Sequence, residues 1–173
     1  VAASKELERV ERSDLSRYQT VKESLLAGEY GIPPLPALVV DKIMEDARYW
    51  NWVSKEAREE RQVSGSRQPH LSIEVPAECR QVKLIVMECE SHDQGWSSYP
   101  SDAGTRRNSW TWGDLSVVSS EAVEEFKQDR VYTNLHASDR WEMHKKEFAA
   151  TDKIVQHLTA GKRLVLSLNA MFR

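Results

Sequence analysis

The residues most able to do chemistry are concentrated in one segment, Ser91–Leu115, which reads SHDQGWSSYPSDAGTRRNSWTWGDL. It holds three of the six tryptophans of the chain, together with glycines, serines, a histidine and two arginines. Aromatic residues interleaved with turn formers and hydrogen-bonding side chains are typical of a shaped surface loop that carries recognition. The segment therefore predicts a binding surface. The candidate ligand-binding residues are His92, Asp93, Gln94, Trp96, Tyr99, Arg106 and Trp112.

The tetrapeptide DQGW predicts a turn in which Gly95 adopts a positive φ and Asp93 bonds local backbone amides. Trp96 would then either close the edge of a core or present a flat face to a ligand. Trp110 and Trp112 are two positions apart on a strand and point the same way. This spacing favours paired rings in a core over a stacking platform for bases or sugars.

Arg106 is interpreted either as a solvated side chain or as a clamp for an anionic or carbohydrate ligand beside Trp96 and Tyr99. The segment carries no recognised catalytic signature, and no G-x-S-x-G elbow occurs in the chain. A hydrolase that uses His92 and Asp93 with a carboxylate from another loop remains an alternative, as does a lectin-like sugar sensor. The main expectation is a module that is not an enzyme.

The expected metal and cofactor content is none. The five histidines lack the spacing of zinc sites, and no cysteines stand at suitable positions beside them. Calcium, bound through loop oxygens, is an unsupported alternative. Its candidate ligands are Asp93, Asp102 and Asp114, although the EF-hand pattern is absent.

Composition excludes several classes of partner. The chain has 173 residues, of which 40% are hydrophobic and 29% charged, and its net charge is −3. No general basic field invites nucleic acid, and no apolar run approaches the length of a membrane span. Cys79 and Cys89 are predicted to be free, buried thiols because the extended chain between them holds them too far apart for a disulfide. Free thiols indicate a reducing compartment, the cytoplasm or the nucleus.

The N-terminal part is predicted as a helical arm over residues 1–52. Apolar spacing predicts helix within residues 4–27 and, after GIPPLP, a clearer helix over 37–50 whose face includes Val39, Ile43 and Trp50. Residues 53–69 are polar and are predicted as a linker or mobile loop.

Beyond the linker, residues 70–173 are predicted as an antiparallel β-sandwich, because the apolar period changes from helical to two. Strands joined by turns with almost no helix favour that class over a parallel sheet. Ser119–Asp129 is the one segment that predicts a short helix. The chain stops directly after a strand pattern, which suggests a C-terminal truncation. The predicted strands are His70–Val75, Gln81–Cys89, Trp110–Val118, Arg140–Phe148, Lys153–Leu158 and Arg163–Met171.

Two segments resemble a known family. LPALVVDKIMEDARYW is similar to the F-box-like helix of many fungal proteins, and SHDQGWSSYPSDAGTRRNSWTW is similar to a turn-and-strand motif in the galactose-binding-like β-sandwich that follows such helices. The resemblance implies a sandwich of jelly-roll type. It also implies an intracellular adaptor in which the arm binds the Skp1-type adaptor of a cullin ubiquitin ligase and the sandwich selects a protein substrate.

The alternative to that docking role is that the same helix packs against the sheet and completes its core. In both versions the expected ligand of the Ser91–Trp112 region is a protein or a glycan. The residues of the proposed docking face are Leu35, Leu38, Val39, Ile43 and Trp50.

Overall fold

The computed structural model describes residues 8–12 and 15–171, with side chains from residue 17 onward. The chain divides into two compact units, an N-terminal unit over Glu8–Glu56 and a C-terminal unit that begins at Ala57. In the described part of the chain, strands account for about 37% of the residues and helices for about 19%, and the paired strands of the C-terminal unit are antiparallel. The predicted mainly-β class with antiparallel sheets is thereby confirmed. None of the described helices has the length and apolarity to cross a membrane.

The N-terminal unit contains two strands and two helices. Strand β1, Glu8–Arg12, pairs with β2, Val53–Ala57. Between them lie α1, Leu15–Ala27, and α2, Ala37–Asp46. The helix predicted within residues 4–27 is therefore shorter at its start, where the chain is a strand instead. The helix predicted over 37–50 ends four residues early, since Ala47 and Arg48 close its last turn with bonds to Ile43 and Glu45.

Side-chain contacts hold α1 against α2. The rings of Tyr18 and Tyr49 stack at 6.1 Å, and Lys22 forms a 2.6 Å ion pair with Asp41. Val40 and Met44 are the buried residues of α2. They are spaced four apart and so lie on one face of the helix. The predicted apolar face therefore divides into a buried row and an exposed row.

The described part of the C-terminal unit contains six strands and one short α-helix: β3 (Gly65–Glu74), β4 (Leu84–Ser91), β5 (Thr111–Val118), β6 (Glu124–Thr133), β7 (Glu142–Ala149), α3 (Lys153–His157) and β8 (Arg163–Ala170). The strands form two sheets, the larger in the order β3-β8-β5-β6 and the smaller a β4–β7 pair. The segment predicted as a linker over 53–69 instead holds β2 and the start of β3. A short 3-10 helix, Pro100–Asp102, lies in the β4–β5 connection.

One hydrophobic core receives side chains from both sheets of this unit. Alternation along each strand sends every second side chain inward, as the period of two requires. Burial of these apolar side chains is the main stabilising contribution to the unit. The central members are Ile85 and Met87 of β4, Leu115 and Val117 of β5, Phe148 of β7, and Leu164 and Leu166 of β8.

Two predicted elements are wrong in type. The helix predicted in Ser119–Asp129 is a tight turn followed by β6, because the Ser119 amide donates to the Val123 carbonyl at 2.9 Å and the chain then pairs with β5. The strand predicted over Lys153–Leu158 is helix α3, whose first turn is closed by bonds to the carbonyl of Asp152. Its apolar residues are adjacent in sequence and bury one face of a single helical turn, which a short run of residues cannot distinguish from a strand.

Candidate functional site

The candidate site lies at one end of the C-terminal unit, where two connections meet. The first loop, residues 92–110, joins β4 to β5, and the second loop, residues 134–141, joins β6 to β7. Three backbone hydrogen bonds tie them together: Asp93 donates to Ser138 at 3.0 Å, Gly104 to His136 at 2.9 Å, and His136 to Thr105 at 2.7 Å. Two loops joined in this way form one surface with limited freedom to move apart.

Asp93 anchors the first loop from beneath. Its side chain is only 3% exposed. One carboxylate oxygen accepts a hydrogen bond from the Thr111 hydroxyl at 3.2 Å, and the other accepts from the Ala137 amide at 2.8 Å. The sequence predicted bonds from Asp93 to local amides, whereas the amide it binds belongs to the second loop. The residue therefore connects the two loops to strand β5.

A buried polar layer continues from Thr111 across the two sheets. The Asn134 amide donates to the Thr111 hydroxyl at 3.1 Å, while its oxygen accepts from the Ser91 hydroxyl at 2.6 Å. The same oxygen lies 2.9 Å from Nε2 of His144. Buried polar groups linked in this way fix the ends of the strands in one arrangement. This buried polar layer therefore restrains the strand ends from which the two loops extend.

Cys89 and Tyr132 extend this layer toward the core. The Cys89 thiol donates to the Tyr132 hydroxyl at 3.4 Å, and the Tyr132 ring stacks on His144 at 4.4 Å. Burial raises the pKa of the Cys89 thiol and that of the Tyr132 phenol, so both groups are neutral at pH 7. A protonated thiol is a poor nucleophile. Cys79 and Cys89 are both free, as predicted, but each is only partly buried.

Stability is expected to fall on acidification because of His144. Desolvation by burial lowers its pKa below the usual 6.5, with Glu142 opposing and Arg106 adding to the shift. The unfolded chain then binds the proton more readily, so the free energy of unfolding decreases as the pH falls through 6.5 toward the lower folded value. Urea unfolding at pH 7.5 and 5.5 should show a smaller pH dependence for His144→Gln than for the parent chain. An unchanged dependence would contradict this role for His144.

Large aromatic side chains are exposed to solvent on the two loops. Trp96 and Tyr99 on the first loop are 64% and 56% exposed, and Trp141 on the second loop is 53% exposed. The Trp141 ring meets the His92 ring edge-on at 4.5 Å. We call Trp96, Tyr99 and Trp141 the aromatic face. Of the two interpretations of Trp96, the exposed one agrees with the structure.

Gly95 allows the two loops to approach each other. Its φ is +83°, as predicted for the turn. A Cβ at this position would lie 3.1 Å from Cβ of Asp139 in the second loop. Trp96 is thus placed beside the loop that leads to Trp141. The sequence analysis did not identify Trp141, and its only signal was a tryptophan in an otherwise polar run.

Gln94 and Arg106 both bind backbone carbonyls, and the Arg106 side chain is also half-exposed to solvent. The Gln94 amide donates to the Trp96 carbonyl at 3.0 Å. The Arg106 guanidinium donates to the Thr133 carbonyl and forms an ion pair with Glu142. The predicted clamp beside the exposed aromatics is therefore not the arrangement seen, because the partners of Arg106 are at the end of β6 and the start of β7.

Trp112 belongs to a second polar cluster. Its indole N–H donates to Asp114 at 3.0 Å, and the Arg130 guanidinium lies 4.2 Å from the centre of its ring. Asp114 is 2% exposed and also accepts from the Arg130 amide at 2.8 Å, the Asn169 amide at 3.0 Å and the Lys127 ammonium at 3.1 Å. Trp112 therefore helps to satisfy a buried carboxylate.

The three candidate calcium ligands are engaged by protein donors. Asp102 accepts from the Asn108 amide at 2.6 Å and lies 3.4 Å from Arg107, while Asp93 and Asp114 have the partners given above. Among the residues that the structure describes, no group of three or more His, Cys, Asp and Glu side chains is arranged to hold a metal ion.

The predicted docking face on α2 is partly open. Leu38 is 84% exposed, Val39 43% and Ile43 41%. Leu35 and Trp50 are partly buried, and the Trp50 indole donates to Glu45 at 3.3 Å. Val39 and Ile43 thus lie beside the buried row of α2 rather than within it.

Comparisons with known proteins add no relative to this description. No protein-family model, no curated protein and no solved structure matches the chain.

Proposed function

We propose that the C-terminal unit is a non-catalytic recognition module that binds a protein partner through the aromatic face. The observation that carries this proposal is the exposure of Trp96, Tyr99 and Trp141 on two loops fixed from below by buried Asp93. Exposed aromatic clusters mark interaction sites, and Trp and Tyr are enriched among residues that dominate protein-binding energy. A pre-ordered surface also loses less entropy on binding.

A protein ligand is favoured over a small molecule by the shape and charge of this end. Two cavities, of about 240 and 450 Å³, lie elsewhere in the unit and are lined by residues around Cys79 and Ser119 respectively. The loop charges are compensated in place, since Arg106 pairs with Glu142 and Arg107 with Asp102. The face is thus an apolar, nearly neutral surface. A glycan stacked on the same rings is the alternative ligand, as in a lectin-like sensor.

A hydrolase is the least favoured alternative. The His92 ring contacts the carbonyl oxygen of Asp93 at 2.5 Å, while the Asp93 carboxylate is bonded to Thr111 and Ala137. Asp93 therefore does not orient the His92 imidazole in the way that the carboxylate of a Ser-His-Asp triad does.

The finer fold assignment follows from the resemblance in the sequence. We propose that the two sheets form a galactose-binding-like β-sandwich of jelly-roll type. The shared core between the four-stranded and two-stranded sheets supports this assignment. A cytoplasmic or nuclear location is proposed with it, supported by the two free cysteines.

A second role is proposed for the N-terminal unit, as an F-box-like arm that binds a Skp1-type adaptor of a fungal ubiquitin ligase. The supporting observation is that Leu38, Val39 and Ile43 are exposed while Val40 and Met44 hold α2 in place. An amphipathic helix with an open apolar row is suited to docking in a partner's groove.

Affinity capture from fungal lysate tests both roles. For a variant with Trp96→Ser, Tyr99→Ser and Trp141→Ser, we expect at least about thirtyfold weaker capture of the aromatic-face partner, about 2 kcal/mol, with stability changed by less than about 1 kcal/mol. The variant should still capture the Skp1-type adaptor, which Leu38→Asp with Ile43→Asp should lose.

Trp52→Ser is the matched control, since Trp52 is 52% exposed but lies in the N-terminal unit. It should leave capture by the aromatic face unchanged. Unaltered capture by the triple variant would refute the protein-binding role. Competition by free sugars against the parent chain would assign the aromatic face to a glycan instead.

A further inference from the structure

The smaller sheet of the C-terminal unit has an unpaired strand edge. In the part of the chain that the structure describes, β4 pairs only with β7. β4 has eight residues and directs Ile85 and Met87 into the core. Its outward residues include Val86, which is 48% exposed, and the exposed Glu88 and Glu90. An edge strand of this length presents unpaired backbone groups that can accept another strand.

The position of this edge can be read from neighbouring contacts. β7 touches β6, the last strand in the order β3-β8-β5-β6. β4 lies on the other side of β7 and its inward residues are buried in the core shared with the larger sheet, an arrangement that indicates a free edge directed toward β8 and β3. The inner apolar residues there, Leu71 and Ile73 of β3 and Leu168 of β8, are only partly buried. A strand added beside β4 would cover them.

Charge indicates which strand fits. Glu88 faces Lys145 across the β4–β7 ladder at 2.8 Å, whereas Glu90 faces Met143. A second copy of β4 paired against the first would bring glutamates of both copies together, and like charges on neighbouring strands are destabilising. Basic residues on the incoming strand would instead complement Glu90, since Glu88 is already paired with Lys145. The observations thus favour a basic partner over self-association.

We propose that the free edge of β4 binds an extended segment of a partner protein in which β-branched apolar residues alternate with Lys or Arg. The incoming backbone extends the β4–β7 ladder, as in recognition by strand addition. Its apolar residues face Leu71, Ile73 and Leu168, and its basic residues lie beside Glu88 and Glu90. This site is separate from the aromatic face and does not depend on that proposal.

Labelled peptides of about nine residues, long enough to pair along all of β4, test the proposal by fluorescence anisotropy. One alternates Val with Lys, a second alternates Val with Glu, and a third is the Val–Lys peptide with a central proline. The Val–Lys peptide should bind at least tenfold more tightly than the other two. Glutamates of the Val–Glu peptide would lie beside the glutamates of β4, and the central proline of the third peptide removes a ladder hydrogen bond. Equal binding of the three peptides, or binding of none, would overturn the proposal.

Two variants with the same charge change locate the site. Glu90→Lys on β4 should weaken binding of the Val–Lys peptide about fivefold, while Glu147→Lys on β7 should leave it nearly unchanged. Hydrogen exchange should show protection by the peptide within residues 84–91. Equal effects of the two variants, or protection elsewhere, would contradict strand addition at β4. The triple variant of the aromatic face should bind the peptide normally, so the two proposals fail independently.

Discussion

Asp114→Asn is expected to lower the free energy of unfolding by about 3 kcal/mol. The Asp114 carboxylate accepts four hydrogen bonds in a nearly closed environment, from Trp112, Arg130, Asn169 and Lys127. Asparagine keeps the size of the side chain but replaces one accepting oxygen with a donating NH₂ group. Hydrogen-bond donors that now bind the carboxylate would then face the asparagine NH₂ group, which is itself a donor. The Lys127 ammonium would also lose the negative charge of buried Asp114. Urea unfolding at pH 7 measures the effect.

Asp129→Asn is the matched control. Asp129 also forms an ion pair with Lys127, but its side chain is 69% exposed. Because exposed ion pairs contribute little, this variant should change the free energy of unfolding by less than about 0.5 kcal/mol. If the two variants were equally stable, the four hydrogen bonds to Asp114 would have no special importance for the fold.

Asp93→Ala is expected to destabilise the chain by about 2–3 kcal/mol and to free the first loop. The substitution leaves the Ala137 amide without its carboxylate acceptor and removes the bond to the Thr111 hydroxyl. Local opening then becomes easier than global unfolding, so hydrogen exchange in residues 92–110 should accelerate more than in β8. Loss of this anchor should also weaken binding by the aromatic face.

The control for this variant is Asp139→Ala. Asp139 lies in the second loop, beside Gly95, but is exposed. We expect a change below about 0.5 kcal/mol and unaltered exchange in the first loop. Uniform acceleration of exchange throughout the Asp93 variant would show that Asp93 stabilises the whole unit rather than the loop.

The strands that were predicted correctly each have a local pattern of apolar residues that identifies them as strands. Leu84–Met87 form an apolar run, and Leu164, Leu166 and Leu168 alternate strictly with other residues, so burial determines the element. β6 lacks such a signal, because Glu124–Thr133 is mostly polar and becomes a strand by pairing with β5. Its side chains are largely exposed or half-buried. Tertiary pairing decided this element, and local propensity did not.

At the candidate site too, features that depend on neighbours in sequence could be predicted, and features that depend on tertiary structure could not. The composition of the first loop and the turn at Gly95 could be recognised, since they depend on neighbours in sequence. Trp141 could not, because its place beside His92 depends on the β6–β7 connection, and the first part of β6 was predicted as helix. Arg106 does lie exposed in the first loop, but its partners Thr133 and Glu142 could not be predicted because they flank that same connection.

Site-specific photocrosslinking in fungal lysate tests the proposed binding surface most directly. A photoreactive phenylalanine analogue would replace Trp96 or Trp141, with Trp52 and Val123 as exposed control positions. We predict the same protein adduct from both positions of the aromatic face and no such adduct from either control position. Adducts that are absent at Trp96 and Trp141, or identical at all four positions, would contradict recognition of a protein through this face.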